Sequence, residues 1–419
     1  MGRNFYTLDD FNVAGSTVLL RVDINSPIDP STGRILNDAR VREHLDTIRD
    51  LANTRLAILA HQSRPGRDDF TTLEAHADRM SALLGRPVRY VDSLFGAHAI
   101  DAIRGMKVGD IVLLENTRFF AEEEALADAK FEKMAKAMMV RKLAPLAQYF
   151  VLDAFAAAHR AQPSLCGFAE VLPALAGRVM EREIQMLTKA MESQDRPKVA
   201  IFGGVKADDS IAVTRHMLAN GIVDKVLTTG GVANLFLLAK GINLGPASVE
   251  VLSREMSNLD EQVARCKEIL SKFPGRVELP IDVAVNDAGV RRNLHLSEFP
   301  AKSPVYDIGL DTIVHYQNEI DLARTIIMNG PAGVFELEEF SLGTREIFMA
   351  VANSPAFSVV GGGHTVAVVE QLGLEKKIDH VSTGGGALIN FLAGKELPLV
   401  TALKRSREKF PQRGRMGQG

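Results

Sequence analysis

Arginines and histidines recur at one kind of position in the first half of this 419-residue sequence. The segments that close or follow short apolar runs carry Arg21 and Asp23 with Asn25, then His61 and Arg64, then Glu115 with Arg118, then Asp153 with His159 and Arg160. Arg40 opens the first long helical stretch. A guanidinium fork binds phosphate or carboxylate oxygens through two parallel hydrogen bonds. One such arginine is an ordinary surface ion-pair partner. Arg40, His61, Arg64, Arg118 and Arg160 at equivalent places form a rim suited to a small molecule with several negative charges.

The second half carries glycine where the first carries arginine. Its loops read Gly203-Gly204-Val205-Lys206, Gly230-Gly231, Asn329-Gly330-Pro331-Ala332-Gly333, Gly361-Gly362-Gly363-His364-Thr365 and Ser382-Thr383-Gly384-Gly385-Gly386. Glycine lets backbone N–H groups come close to phosphate oxygens, and a following helix adds its positive end. One glycine triplet is usually a turn, but several in one half, each between strand and helix, point to a phosphate cradle. The P-loop pattern is absent, and no strand leads into G-x-G-x-x-G. His159-Arg160-Ala161 lacks the aspartate of a protein-kinase catalytic loop, and no H-E-x-x-H zinc motif occurs. A polyanion site in one half and a phosphate cradle in the other are joined most simply by phosphoryl transfer. Closure would bring the two ends into line and exclude water.

The elements that must position these residues alternate along the chain. Short Val-, Ile- and Leu-rich runs at 17–22, 56–60, 110–114, 149–152, 198–202, 225–228, 325–328 and 357–360 are predicted strands. Helical stretches are predicted at 39–52, 122–142, 208–219 and 365–372. Strands apolar on both faces, separated by helices, imply parallel sheets covered on both sides. Met180, Ile184, Leu187 and Met191 recur at helical spacing before Gln194-Asp195-Arg196-Pro197 breaks the pattern near mid-chain. The reading is α/β: two doubly wound, Rossmann-like parallel-sheet domains joined by a linker helix, with a cleft between them. The boundaries are 1–178, 179–196 for the linker, 197–403, and a basic tail 404–419 read as solvated and frayed.

Composition limits the alternatives. A net charge of −3 gives no global attraction to nucleic acid or membrane, and 46% hydrophobic with 24% charged residues is ordinary globular usage. Cys166 and Cys266 are too few for a disulfide framework or a thiolate zinc site and read as buried hydrophobes of a reducing compartment. The first ten residues lack a signal-peptide core, and no run approaches a membrane span, so a cytoplasmic protein is expected.

At these residues the chain resembles phosphoglycerate kinase from about Leu8 to Leu403. The motifs are Arg21-Val22-Asp23-Ile24-Asn25, Leu114-Glu115-Asn116-Thr117-Arg118-Phe119, Asp153-Ala154-Phe155 leading to Ala158-His159-Arg160, and Phe202-Gly203-Gly204-Val205-Lys206. Asn329-Gly330-Pro331-Ala332-Gly333-Val334-Phe335-Glu336 and Ser382-Thr383-Gly384-Gly385-Gly386-Ala387 continue them in family order. The resemblance implies the reaction 1,3-bisphosphoglycerate + ADP ⇌ 3-phosphoglycerate + ATP, with Mg2+ carried on the nucleotide and no metal held by the protein alone. It implies a phosphoglycerate side of Asp23, Asn25, Arg40, His61, Gln62, Ser63, Arg64, Arg118 and Arg160. It implies a nucleotide side of Lys206, Asn329, Glu336, Gly361, Gly362, Gly363, His364 and Thr365, with Lys206 meeting the transferring group and Glu336 accepting from the ribose. Arg40, Lys206 and the Gly361 loop amides would neutralise the transition state. The acceptor is already ionised, so His61 and His159 read as rim or structural groups rather than acid–base catalysts. The implied protein is a monomer that binds only these small molecules.

Departures from the commonest family pattern give the chain the look of the archaeal branch. Ala60-His61-Gln62-Ser63-Arg64-Pro65 replaces S-H-L-G-R-P, Met328 stands where Trp often does, and Ser210 where a second lysine often does. His364 replaces the Asp of G-G-G-D-T, and ligating the metal, bonding a phosphate oxygen and capping the next helix are its three readings, metal ligation the weakest because magnesium prefers oxygen.

Overall fold

The computed structural model describes residues 4–411 apart from Lys206 and Ser257. By packing, the chain divides into two compact units, Met1–Ile184 with Glu396–Gly419, and Gln185–Lys395.

The first unit is built on seven parallel strands: β1 (Tyr6–Thr7), β2 (Thr17–Arg21), β3 (Arg55–Leu59), β4 (Arg89–Val91), β5 (Ile111–Leu114), β6 (Tyr149–Leu152) and β7 (Ala174–Ala176). Their order is β1-β7-β6-β2-β3-β5-β4. Val18, Leu20, Ile58, Leu113 and Val151 point to one face, where they pack with Val41, Ile48 and Met80 from the covering helices. Leu19 and Ala57, on the other face, are equally buried. Burial on both sides is why these strands read as unbroken apolar runs.

The second unit holds six parallel strands, β8 (Lys198–Phe202), β9 (Lys225–Thr228), β10 (Val277–Glu278), β14 (Thr325–Asn329), β15 (Phe357–Gly361) and β16 (His380–Ser382), ordered β10-β9-β8-β14-β15-β16. A three-stranded antiparallel sheet, β11 (Asp282–Asp287), β12 (Val290–His295) and β13 (Val305–Ile308), has its own core of Val283, Val285, Leu294 and Val305 against Leu237 and Leu244.

Register fixes where functional loops can begin. In the first unit Ala176, Leu152, Arg21 and Leu59 lie in one row at the carboxyl ends of their strands. In the second, Thr228, Phe202, Asn329, Gly361 and Ser382 do the same. β2 has β3 on one side and the much later β6 on the other, and β8 stands likewise between β9 and β14. These are topological switch points, where loops diverge and leave a crevice.

The two doubly wound parallel sheets expected from the sequence are present, and all eight predicted strands begin and end within one residue of their expected bounds. The helices differ more. The stretch 39–52 is two helices, Ala39–Glu43 and Leu45–Asp50, parted at His44. The stretch 122–142 is three short ones, Ala121–Ala125, Phe131–Met134 and Met138–Leu143. Asp128 takes a left-handed φ of 58° and donates its N–H to Ala161, while Met138 N–H goes to Glu122. Tertiary hydrogen bonds override good helix formers here.

The chain's second crossing point also falls earlier than the 403 expected. From Glu396 onward it groups with the first unit, and the basic stretch read as frayed from Lys404 is helical as far as Lys409 in the helix Pro398–Lys409. Arg405 and Lys409 both pair with the nearly buried Glu170, and Ser406 Oγ accepts the Ala174 N–H at 2.8 Å and donates to Leu172. Residues 412–419 of the expected tail lie outside the described residues.

The helix expected at 179–191 runs Arg178–Glu192. At its start, Asp153 Oδ1 accepts the N–H groups of Val179 (2.9 Å) and Met180 (3.4 Å). At its end, the Lys198 ammonium donates to the carbonyls of Ala190 and Met191, both at 3.0 Å. Each charge has the sign that the helix dipole favours at that end. Among the described residues no helix is long and apolar enough to cross a membrane.

Candidate active site

The first unit's row of strand ends places a cationic cup. Arg21 closes β2 with only 1% of its surface exposed, so every polar atom must find a partner inside. Nε donates to Ser164 Oγ at 3.1 Å, Nη1 to the Val22 carbonyl, and Nη2 lies 3.1 Å from His61 Nδ1. Ser164 passes the chain on to Glu123, which accepts from both its N–H and its hydroxyl. A guanidinium has only donors, so His61 Nδ1 accepts and the ring carries its proton on Nε2. Burial, helped by Arg21, Arg118 and Arg160, pushes the His61 imidazole down to about 3, so the ring is neutral at neutral pH.

Asp23, two residues beyond β2, is the carboxylate in the cup. Burial opposes its charge, yet its neighbours hold it down to about 2. Because His61 is neutral, the permanent charges of Arg40 and Arg21 sustain that ionisation. Arg40 Nη1 stands 4.0 Å from Asp23 Oδ2. Burial pushes Arg21 down to about 10, with Arg118 and Arg160 adding repulsion, and burial followed by Arg160 lowers Arg118 in the same sense. Burial raises a second buried counter-carboxylate, Glu123, against the pull of Arg21. Loss of water is thus the main cost of the cluster; Glu123, Asp23 and Glu124 offset it and the neighbouring arginines add to it. Arg40 Nη1 and Arg118 Nε are buried and make no hydrogen bond among the described residues; each has only an ion-pair contact, with Asp23 at 4.0 Å and with the half-exposed Glu124 at 3.2 Å.

The remaining expected residues divide by what their side chains touch. Gln62 is buried and spent: Oε1 accepts from Ser26 N–H, and Nε2 donates to the carbonyls of Ser26 and Asp69. It clamps the loop after β2 to the loop after β3 and presents no free amide. Ser63, at a left-handed φ of 56°, gives its N–H to Asn25 Oδ1 (2.7 Å) and its hydroxyl to Asp69. The Ser63 carbonyl accepts from Arg118 Nη1, which fixes that guanidinium. Asn25 and Arg64 are exposed, while His159 and Arg160 are half-buried and adjoin each other through Nε2 and Nε.

In the second unit the glycine loops pack on one another. A Cβ on Gly203 would sit 2.3 Å from both the Pro331 carbonyl oxygen and Thr229 Oγ1, so only glycine lets those loops meet. Many of the N–H groups expected to face phosphate are used internally: Gly203 to Asn329, Gly204 to Pro331, Gly230 to Ala332 and Gly330 to Thr365 Oγ1. Asn329 donates to the Gly361 carbonyl, and Thr365 is buried, so both side chains brace the loops. Amides left for an anion include those opening the helix Gly363–Gln371, which have no partner within the helix. Gly362 turns the chain into that helix at φ 104°. Gly363 and His364 are exposed there, and His364 Nδ1 lies 4.0 Å from Glu336. Beside them is a mostly apolar cavity of about 150 Å³ between Val205, Gly231, Pro280, Val305, Tyr306 and Pro331, with Glu336 and His364 on its wall. Lys206 lies outside the described residues.

The phosphoglycerate kinase family profile matches residues 8–395. The chain belongs to the phosphoglycerate kinase family. It is 47% identical to the phosphoglycerate kinase of Thermoplasma acidophilum over 97% of this chain and 99% of that one. It is 49% identical to that of Methanothermobacter thermautotrophicus over 96% and 97% respectively. The crystal structure of phosphoglycerate kinase from Pyrococcus horikoshii OT3 superposes with a TM-score of 0.88 at 43% identity, covering 97% of this chain and all of that one. These relatives are archaeal, as the departures in the sequence suggested.

Within this phosphoglycerate kinase fold, several groups the sequence reading left out of the site carry its framework. Arg21 supports His61, and Glu123 with Ser164 supports Arg21. The one signal was a charged residue ending an otherwise apolar strand, which demands a buried partner. Cys166 and Cys266 are buried and unbridged, and burial pushes both thiols up, Cys266 to about 12.

Proposed function

We propose that this chain catalyses reversible phosphoryl transfer between 1,3-bisphosphoglycerate and ADP, giving 3-phosphoglycerate and ATP, with the carboxyl group of 3-phosphoglycerate as acceptor in the reverse direction. The observation that carries this reading is the cluster of Arg21, Arg40, Arg118 and Arg160 at one end of one sheet, in which Arg40 Nη1 and Arg118 Nε are buried without hydrogen bonds. An anion with several charges would accept hydrogen bonds from these nitrogens and offset the cost of holding the guanidinium groups away from water. Arg40, Arg118 and Arg160 bind 3-phosphoglycerate in this reading. Neutral His61 offers Nε2–H, Asp23 keeps Arg40 oriented, and Gln62 and Ser63 act through the loops they clamp.

Nucleotide binding is assigned to the second unit. The opening amides of the helix Gly363–Gln371 take phosphate oxygens, the apolar cavity takes the base, and Glu336 accepts from the ribose. Magnesium enters on the nucleotide as part of the substrate. Glu336 and His364 are one carboxylate and one imidazole, not the oxygen cage that magnesium requires from a protein, which fits an ion held chiefly by phosphates and water.

The acceptor carboxylate is ionised at neutral pH, so no general base is needed. Catalysis reduces to alignment and to neutralising the equatorial oxygens, for which Arg40, Lys206 and the loop amides are assigned. Hinge bending about the helix Arg178–Glu192 brings the two ligands in line and excludes water, in a monomer of the cytoplasm. The test is ATP-dependent phosphorylation of 3-phosphoglycerate, with product formation coupled to NADH oxidation. Lys206→Met should abolish turnover at unchanged stability. Full activity in that variant removes Lys206 from the mechanism, and ATP binding without turnover in the unaltered protein favours a nucleotide sensor.

A further inference from the structure

His44 lies outside every role assigned above, yet it touches two parts of the first unit's framework. It sits at the break between the helices Ala39–Glu43 and Leu45–Asp50, with 1% of its surface exposed. Nδ1 is 2.8 Å from Asp153 Oδ2. Nε2 is 3.1 Å from both the N–H and the carbonyl oxygen of Asp23. The other oxygen of Asp153 holds the Val179 and Met180 amides that open the helix Arg178–Glu192. The Asp23 side chain faces Arg40, one helical turn before His44.

We propose that His44 is a positioning residue for the anion cup: it fixes the Asp23 main chain by tying it to the carboxylate that caps the helix Arg178–Glu192. The inference rests on reading the cup as the phosphoglycerate site. A buried imidazole is rigid and has two polar atoms on opposite sides, so it spans two anchors that a single amide side chain cannot. With His44 in place, Asp23 cannot shift without straining either the bond to Asp153 or its own contact with Arg40. His44 touches no reacting atom in this arrangement. Its loss should act on the affinity for the three-carbon acid and spare the nucleotide.

The experiment uses the full chain with His44→Leu and His44→Asn, measuring KM separately for 3-phosphoglycerate and MgATP. Asparagine keeps a donor near the Nδ1 position for Asp153, and so supports the fold, but does not reach Asp23. In both variants KM for 3-phosphoglycerate should rise about tenfold while KM for MgATP stays unchanged. If His44→Leu fails to fold, His44→Asn alone decides. An unchanged KM for 3-phosphoglycerate, or a parallel rise in both constants, overturns the positioning role. Calorimetry on the unaltered protein keeps the two readings apart. No binding of 3-phosphoglycerate there removes the reading of the cup and this inference with it. Normal binding with an unmoved KM in the variants removes the inference only.

Discussion

Arg40 reaches to 4.0 Å of Asp23 Oδ2 with 34% of its side chain in solvent, and its Nη1 is buried without a hydrogen bond. For the folded state that contact is worth little, about 0–1 kcal/mol, because it is long, Arg40 is a third exposed, and Arg21 remains to hold the charge on buried Asp23. Arg40→Ala should therefore change the unfolding free energy by less than about 1 kcal/mol. The substrate complex is different. A charge-assisted hydrogen bond contributes about 1.5–3 kcal/mol, and a donor facing developing charge about 3–4 kcal/mol. At about 1.4 kcal/mol per decade, kcat/KM for 3-phosphoglycerate should fall about 100- to 1000-fold. The coupled assay gives the rate constants, and urea unfolding of the same preparations gives stability. Arg21→Ala is the contrast: its three internal bonds and near-complete burial make it a structural element, so stability should fall by about 3–5 kcal/mol. Near wild-type kcat/KM in Arg40→Ala, or an activity loss that merely tracks lost stability, would refute the reasoning.

Two further outcomes concern stability. His76 is fully buried, and burial pushes its imidazole down from 6.5 to about 4. The folded state thus favours the neutral ring, so its contribution is complete above pH 6.5 and is lost as pH falls toward 4, by about 3 kcal/mol. His76→Phe should flatten that part of the acid limb in urea midpoints taken across the range, and an unchanged slope would exclude His76 as the source. Lys198→Met leaves the Ala190 and Met191 carbonyls without their ammonium and should lower stability by about 2–3 kcal/mol. An unmoved urea midpoint would show that the cap contributes nothing.

Eight of the thirteen parallel strands were legible because strands covered on both faces write burial directly into sequence, as in Val18-Leu19-Leu20 and Ile111-Val112-Leu113-Leu114. The others, β1, β4, β7, β10 and β16, are two or three residues each and too short to leave that signal. The antiparallel sheet was not legible either. Its strand Val290–His295 has Leu294 as its only buried residue and reads as a polar loop. Helix continuity failed at Asp128 because its N–H goes to Ala161, far along the chain, and at His44 the backbone tightens to ψ −4° at a residue whose ring reaches the equally distant Asp153. The arginine rim was visible as a recurrence after successive strands, and the structure brings Arg40, His61, Arg118 and Arg160 to one end of one sheet. Which members face the cup was not visible. Gln62 and Ser63 lie between His61 and Arg64, yet their side chains are occupied by Ser26 and Asp69. Glycine richness likewise carried two meanings, close packing of loops at Gly203 and Gly330 and open amides near Gly363, which one residue type cannot distinguish.

The helix Pro398–Lys409 has a bearing on how the protein is made. The unit Gln185–Lys395 is one uninterrupted length of chain, whereas the other draws its closing helix from beyond it. On a ribosome, every residue of the later unit emerges before Leu399, Ala402 and Leu403 can seal the apolar side of β7 or Ser406 can satisfy Ala174 and Leu172. The nascent earlier unit must wait, with that flank uncovered, until the whole of its neighbour has been translated.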